Sequence, residues 1–308
     1  TRSCLFLEKY GIDLPVLKEK PKLAYHCFLC GTCGCVCPKG IDGKEIALDS
    51  RRKLVEDGGG KLLDNSYDGL LLEKNPYKFA NYRHSKKKAV FFTGCNFPSF
   101  YPKTTRKIVN ELKKHGIGVA YDCCGKPIAE LGMESDEKRI ISRIQSELSE
   151  RKIREVIMLC PNCYAFLKPK LADVKVISIY EKLEELGIGN KNLIPEKVFL
   201  PCPDREKREL LKMIERYTAG GLTPVENVQC CGLGGCASVK EPELAKGMGA
   251  ALKDAGERKV YSYCASCAGN LNRNGCKNVT HILTEIMETY EKADIGKSMV
   301  NRIKTKFM

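Results

Sequence analysis

Lys88-Ala89-Val90-Phe91-Phe92-Thr93-Gly94-Cys95 is a short apolar run with a charged entrance that closes on a cysteine, and Lys197-Val198-Phe199-Leu200-Pro201-Cys202 repeats it 107 positions later. Runs of this length, rich in β-branched and aromatic residues and punctuated by Gly or Pro, read as strands buried on both faces. Working outward, each cysteine is followed after 27 intervening residues by a Cys-Cys-Gly, Cys123-Cys124-Gly125 in the first copy and Cys230-Cys231-Gly232 in the second. A Cys-x-x-Cys closes each copy, Cys160-Pro161-Asn162-Cys163 and Cys264-Ala265-Ser266-Cys267, with starts 104 positions apart. The chain is internally duplicated.

The pattern between these cysteines alternates. In the first copy Gly118 to Tyr121, Val156 to Leu159 and Val174 to Ile179 are strand-like, while Lys103 to His115, closed by Gly116, and Asp136 to Arg151, opened by Ser135, have helical periodicity. In the second, helices are expected over Arg205 to Tyr217 and Glu243 to Ala255, and a strand over Lys259 to Ser262. Alternation of this kind predicts parallel sheets covered by helices. Ligands of such sheets gather at the carboxyl ends of the strands, and Cys95, Cys123, Cys160, Cys202, Cys230 and Cys264 are each expected one to three residues past a strand. The expected fold is α/β: two duplicated parallel-sheet lobes related by a pseudo-two-fold, preceded by a small ferredoxin-like α-helical cluster domain. The boundaries read as 1–60 for that domain, a connector over 61–87, a first lobe over 88–195 and a second over 196–308.

Each copy brings five thiols, and a tetrahedral zinc takes four. The spare ligand points to a multi-iron cluster, or to four ligands plus one working thiol. Gly125 is expected to remove a β-carbon that would crowd the approach of Cys123 and Cys124 to iron, and a Cys-x-x-Cys at a helix start places thiolates where the dipole favours negative charge. Gly232-Leu233-Gly234-Gly235 lacks the spaced glycines of a dinucleotide fingerprint and reads as a site of close backbone approach. Near the amino terminus, Cys27, Cys30, Cys33 and Cys37-Pro38 have the Cys-x2-Cys-x2-Cys-x3-Cys-Pro spacing that wraps a cubane [4Fe–4S] cluster. Cys37 is the expected fourth ligand, with Cys35 and Cys4 as alternatives. Cys4, Cys35, Cys236 and Cys276 otherwise read as buried small apolar residues. His26 and His281, the latter expected to begin the last helix, read as capping or packing residues, and Tyr164, Tyr261 and Tyr263 as shields of the cysteines beside them.

Composition narrows the class. The chain has 308 residues, 43% hydrophobic and 29% charged, ordinary for a globular protein with a full core. Eighteen cysteines grouped as pairs read as metal ligation in a reducing compartment rather than a disulfide framework. The formal charge of +14 counts every cysteine as neutral, whereas ligating thiolates and their clusters are anionic, so the excess balances clusters rather than indicating nucleic acid. Lys86-Lys87-Lys88 reads as a solvated strand entrance or a docking point for an acidic partner. No apolar run approaches the roughly 20 residues of a membrane span and no signal peptide is evident, so a cytoplasmic location is expected, with any membrane reached through a partner.

The order of one ferredoxin-like run followed by two Cys, Cys-Cys-Gly, Cys-x-x-Cys repeats resembles the catalytic iron–sulfur subunits of heterodisulfide reductase and their relatives in glycolate-, lactate- and glycerol-3-phosphate-oxidising complexes. The resemblance covers residues 27 to about 290 and implies two noncubane [4Fe–4S] clusters facing one another across the disulfide they cleave. It implies one cluster on Cys95, Cys123, Cys124, Cys160 and Cys163, and the other on Cys202, Cys230, Cys231, Cys264 and Cys267, alongside the single cubane cluster. The chain departs from fused relatives in having one ferredoxin run rather than two. The expected function is a subunit that takes electrons through the cubane cluster to the paired clusters and reduces a small-molecule disulfide or thiol. The alternative is a relay between a flavoprotein and another acceptor. The chain carries no flavin or nicotinamide fingerprint, so the expected partners are a flavoprotein or other iron–sulfur or cytochrome subunits.

Overall fold

The two apolar runs that end in cysteine are inner strands of two four-stranded parallel sheets. The computed structural model describes residues 4–254 and 258–308. In the first sheet β1 (Ala89–Phe92) lies between β2 (Gly118–Ala120) and β3 (Glu155–Met158), and β4 (Lys175–Ser178) completes the order β2-β1-β3-β4. In the second, β5 (Lys197–Phe199), β6 (Thr223–Pro224), β7 (Val260–Ser262) and β8 (Val279–His281) take the matching order β6-β5-β7-β8. Register follows the duplication: Phe92 pairs with Ala120 and Met158, and Phe199 pairs with Ser262. Val90, Phe91, Phe92, Val156, Ile157, Val198 and Phe199 are buried, as expected of parallel strands covered on both faces. The expected α/β class and its two duplicated lobes are therefore present.

The elements differ from expectation where side chains intervene. The helix expected over Arg205 to Tyr217 is confined to Glu209–Ile214, flanked by 3-10 turns at Cys202–Asp204 and Glu215–Tyr217. The cause is Asp204, whose two carboxylate oxygens accept the N–H groups of Leu210 and Leu211 at 3.1 and 3.0 Å and so fix the helix start four residues late. The helix expected from Glu243 splits into Pro242–Gly247 and Ala250–Asp254, and its expected end, Ala255, lies outside the described residues. His281 ends β8 and caps the helix Ile282–Ile286, which is not the last, since Ser298–Lys304 follows. Cys230 lies six residues beyond Pro224, the end of β6, rather than one to three.

The chain packs as two compact units. A sheet unit comprises Tyr77–Cys124, Ile141–Val225 and Glu257–Met308 and contains both sheets; an amino-terminal unit comprises Thr1–Pro76, Gly125–Ile140 and Glu226–Gly256. The amino-terminal unit has its own core of Phe6, Leu7, Leu17, Ala24, Leu29, Ala47 and Leu48, with Leu244 packed against it. Its three chain segments meet at Arg51, which is fully buried on the helix Gly43–Asp57. All five donor positions of the guanidinium are used: Nε and Nη2 donate to Ala24 O, Nη2 to Cys27 O, and Nη1 to Glu130 O and Gly235 O, at 2.5–3.1 Å. The planar fork of arginine alone offers donors in that number and spread.

Candidate functional site

The eighteen cysteines form no disulfide and are distributed over both units. In the sheet unit, Cys160 and Cys264 stand at the N-caps of the helices Pro161–Leu167 and Ala265–Arg273, each two residues past its strand. These are equivalent positions of the two copies, and their sulfurs lie within hydrogen-bonding reach of each other. Contact between equivalent residues is what a two-fold relation produces at its axis. Hydrogen-bonded to the pair are Cys163, which bridges Cys160 and Cys124, and Cys267 beside Cys264. Asn162, inside the first Cys-x-x-Cys, donates to Cys264 Sγ at 3.5 Å.

Mutual contact sorts the thiols by charge. Cys160 and Cys267 donate to Cys264 and hold it well below the ordinary thiol range, against the opposing effect of burial. Cys163 is pushed far up by Cys124 and Cys160 and by burial. Cys163 also pulls Cys160 down, but Cys264 and burial raise Cys160 on balance.

Buried carboxylates fix the backbone that carries these sulfurs. Asp122 accepts the N–H of Cys123 at 2.7 Å and the Tyr82 hydroxyl at 2.8 Å, and receives Arg143 in a two-point ion pair at 2.8 and 2.9 Å. Asp204 accepts the Tyr263 hydroxyl at 2.7 Å, tying the loop of Cys202 to the residue before Cys264. Tyr263 is thus a buried tether. Asp122, Arg143, Asp204 and Asn162 carry no motif, and only their nearness in sequence to cysteines hints at their roles.

In the amino-terminal unit, the Cys27–Cys33 loop turns through Leu29 and Gly31, both at positive φ. Cys30 meets Cys230, which lowers Cys30 well below the thiol range although burial opposes it. Cys231 and Cys30, with burial, raise Cys230. Gln229 reaches Cys30 Sγ at 3.6 Å and Cys4 Sγ at 3.7 Å. Cys4 lies within electrostatic range of Cys27, Cys30 and Cys33. Cys37 is different: its thiol is half-buried and is lowered by the backbone N–H groups of Ile41 and Lys39. Cys35 is exposed rather than buried as expected, whereas Cys276 is buried. His26 packs as expected, its Nδ1 2.6 Å from Glu241 Oε1.

The glycines of the repeat serve packing. Gly125 sits at φ +84, and a β-carbon there would lie 2.8 Å from Ile140 Cγ2, so a left-handed turn packed against a helix requires glycine here. At Gly234 and Gly235 a β-carbon would lie 2.6 Å from the carbonyls of Phe28 and Cys27, so this run allows close backbone approach to the amino-terminal cysteine loop.

The first five-cysteine set falls wholly in the sheet unit. Of the second set, Cys202, Cys264 and Cys267 belong to the sheet unit and Cys230 and Cys231 to the amino-terminal unit. Among the described residues no group of three or more His, Cys, Asp or Glu side chains is arranged to hold a single metal ion. The donor chemistry nevertheless suits iron and sulfide: the groups are all sulfur, mostly buried and free of disulfides, and a multi-iron cluster spreads its thiolates over several metals rather than drawing them onto one. Separately, Arg83, His84, Lys86, Lys87, Arg106 and Lys113 line a cavity of about 580 Å³ in the sheet unit, whose described lining includes no Asp or Glu side chain. No helix among the described residues is long and apolar enough to cross a membrane.

The cysteine-rich CCG domain matches the chain twice, at residues 89–168 and 197–272. An uncharacterized iron–sulfur protein of Methanocaldococcus jannaschii is 26% identical over 277 residues, covering 79% of this chain and 56% of that protein. One subunit of the CoM/CoB fumarate reductase of Methanothermobacter marburgensis is 26% identical, covering 73% of this chain and 51% of that subunit. One subunit of the dihydromethanophenazine:CoB–CoM heterodisulfide reductase of Methanosarcina barkeri is 27% identical, covering 83% of this chain and 74% of that subunit. The chain thus spans about half the length of the first two of these relatives. No solved structure matches it.

Proposed function

We propose, since the chain belongs to the CCG cysteine-rich domain family, that it is an iron–sulfur electron-transfer subunit that delivers electrons from its amino-terminal cysteines to paired CCG sites, where a small-molecule disulfide is reduced. The overall change is R–S–S–R′ plus two electrons and two protons giving RSH and R′SH. The observation that carries this reading is the contact of Cys160 with Cys264, which sets equivalent cysteines of two complete repeats side by side. Relatives named as subunits of heterodisulfide reductase and fumarate reductase support a role within a redox complex.

When bound, iron–sulfur clusters supply one-electron transfer and metal centres with affinity for thiolate. The chain's residues supply the rest. Cys95, Cys123, Cys124, Cys160 and Cys163 would hold one noncubane [4Fe–4S] cluster, and Cys202, Cys230, Cys231, Cys264 and Cys267 the other. For the cubane cluster Cys27, Cys30 and Cys33 are joined by Cys4, whose place among these thiols favours it over Cys37 and Cys35. Asp122 and Asp204 hold the backbone of the cysteine loops, and burial of Cys124, Cys163, Cys264 and Cys267 keeps water from the sulfurs. The hydride chemistry belongs to a flavoprotein or another protein of the complex, and the basic cavity around Lys86 and Lys87 is suited to an acidic face of such a partner.

The test is anaerobic loading of the chain with iron and sulfide, followed by metal analysis and electron paramagnetic resonance before and after addition of a small thiol. Iron and sulfide in near-equal amounts, with an oxidised-state signal that changes on thiol addition, are expected. Zinc as the main metal overturns the reading. An iron signal indifferent to thiol reduces it to the alternative, a relay between a flavoprotein and another acceptor.

A further inference from the structure

Among the described residues of the sheet unit, Tyr101 OH, Tyr180 OH and His281 Nε2 are buried polar atoms without a hydrogen-bond partner. Their residues are 1%, 1% and 0% exposed. Leaving a buried hydroxyl or ring N–H unpaired costs about 1–3 kcal/mol each, so three in one neighbourhood call for an acceptor that the bare chain does not supply.

Ring contact and sheet register put Tyr101 and His281 beside the strand that leads to Cys264, and Tyr180 just past the strand paired with the one that leads to Cys160. His281 pairs across β8 and β7 with Ser262, two residues before Cys264. The Tyr101 ring lies 5.4 Å from the His281 ring, and Phe97, two residues after Cys95, packs 4.8 Å from it on edge. Tyr180 follows β4 in the helix Ile179–Glu185, and after burial the charge with the largest effect on its hydroxyl is that of Cys264, with Cys160 also acting. Tyr101 is pushed up by burial, then by Glu291 and Cys264.

The duplication isolates what is special about the histidine. At the end of β4, Ser178 Oγ caps the following helix by accepting the N–H of Tyr180 at 3.2 Å. At the equivalent end of β8, His281 Nδ1 makes the same cap with the N–H of Leu283 at 3.3 Å. A serine suffices for the cap. With Nδ1 occupied as acceptor, the neutral ring carries its proton on Nε2, and burial keeps it neutral, well below the usual imidazole range at about 3. The Tyr263 carbonyl lies near the ring and acts on it, but it makes no hydrogen bond of normal geometry with Nε2. The second copy has therefore gained a spare donor in place of a plain cap.

We propose that Tyr101, Tyr180 and His281 are hydrogen-bond donors to the sulfur atoms of the group held at Cys160 and Cys264, and that they make this group easier to reduce. The inference rests on the iron–sulfur reading. Donors aimed at cluster sulfurs stabilise the added negative charge and raise the potential. They are positioning residues, since the thiolates and not the donors hold the metal.

The test uses Tyr101→Phe, Tyr180→Phe and the double variant of the full chain, each substitution removing one hydroxyl and nothing of the ring. Before iron loading, urea unfolding should show the variants as stable as the parent or more so, because no bond is lost. After loading, a dithionite titration followed by electron paramagnetic resonance should show the double variant about tenfold harder to reduce, a fall of 59 mV for one electron. An iron-loaded double variant with the parental midpoint, or one already destabilised without iron, overturns the inference. A parent chain that binds no iron refutes the functional reading itself, and the two failures are told apart by metal content.

Discussion

Replacing Arg51 by Met removes every donor from the point where the three segments of the amino-terminal unit meet, while keeping a similar apolar volume. Four carbonyls, those of Ala24, Cys27, Glu130 and Gly235, lose the guanidinium, but that of Ala24 still accepts the N–H of Cys27 at 3.1 Å. At roughly 1 kcal/mol for each of the three other buried acceptors, the loss is about 3 kcal/mol, reduced somewhat because a guanidinium no longer has to be desolvated. A net loss of about 2–3 kcal/mol is large for one substitution. The assay is native-state amide exchange, which reads local opening. Protection of residues 24–29 and 128–131 should fall by roughly thirty- to a hundredfold, with β1 and β3 unaffected. A loss below about 1 kcal/mol, or one spread equally over the sheets, would refute the account of Arg51 as the tie of this unit.

Cys4→Ser should lower the iron bound per chain by about one third, the share of one four-iron cluster in three, whereas Cys37→Ser should leave it unchanged; parallel metal analysis decides, and the reverse result restores Cys37 as the ligand. Asp122→Asn weakens the pair with Arg143 and the grip on Cys123, and calorimetry should show a loss of about 3 kcal/mol together with an altered spectrum of the first CCG site. Glu241 is held below its ordinary 4.5 because, although burial opposes, Lys9, Tyr10 and His26 all donate to it. Its stabilisation is full above the unfolded carboxylate value and is lost as pH falls through the lower folded one, so Glu241→Gln should be less stable at pH 7 and show a flatter acid limb in urea titrations from pH 7 to 3.

What the sequence disclosed was local. β1, β3, β5 and β7 were legible because buried parallel strands are continuous apolar runs, and the Cys-x-x-Cys helices because Pro161 and Ala265 open them in register with the repeat. β6 escaped because it is two residues long and includes Pro224, tolerable only at a sheet edge. The late helix start at Glu209 depends on the Asp204 side chain, which pattern alone does not weigh. Cys4 lies far upstream of the ferredoxin-like run, and nothing in spacing joins it to Cys30; folding of the first helices around Leu7 and Leu17 does. The tie at Arg51 is likewise tertiary, since its acceptors are backbone atoms that any residue supplies.

The threefold origin of the amino-terminal unit imposes an order on biosynthesis. Cys30 finds Cys230 only once the segment beginning at Glu226 has been made, some 200 residues after Cys30 itself, or about 10–40 s at ordinary rates of translation. Until then the earliest thiols of the nascent chain wait without their last neighbour. Burial of Cys30 against Cys230 is therefore a late event, and oxidation of the early cysteines before it is the hazard that a slow ribosome would expose.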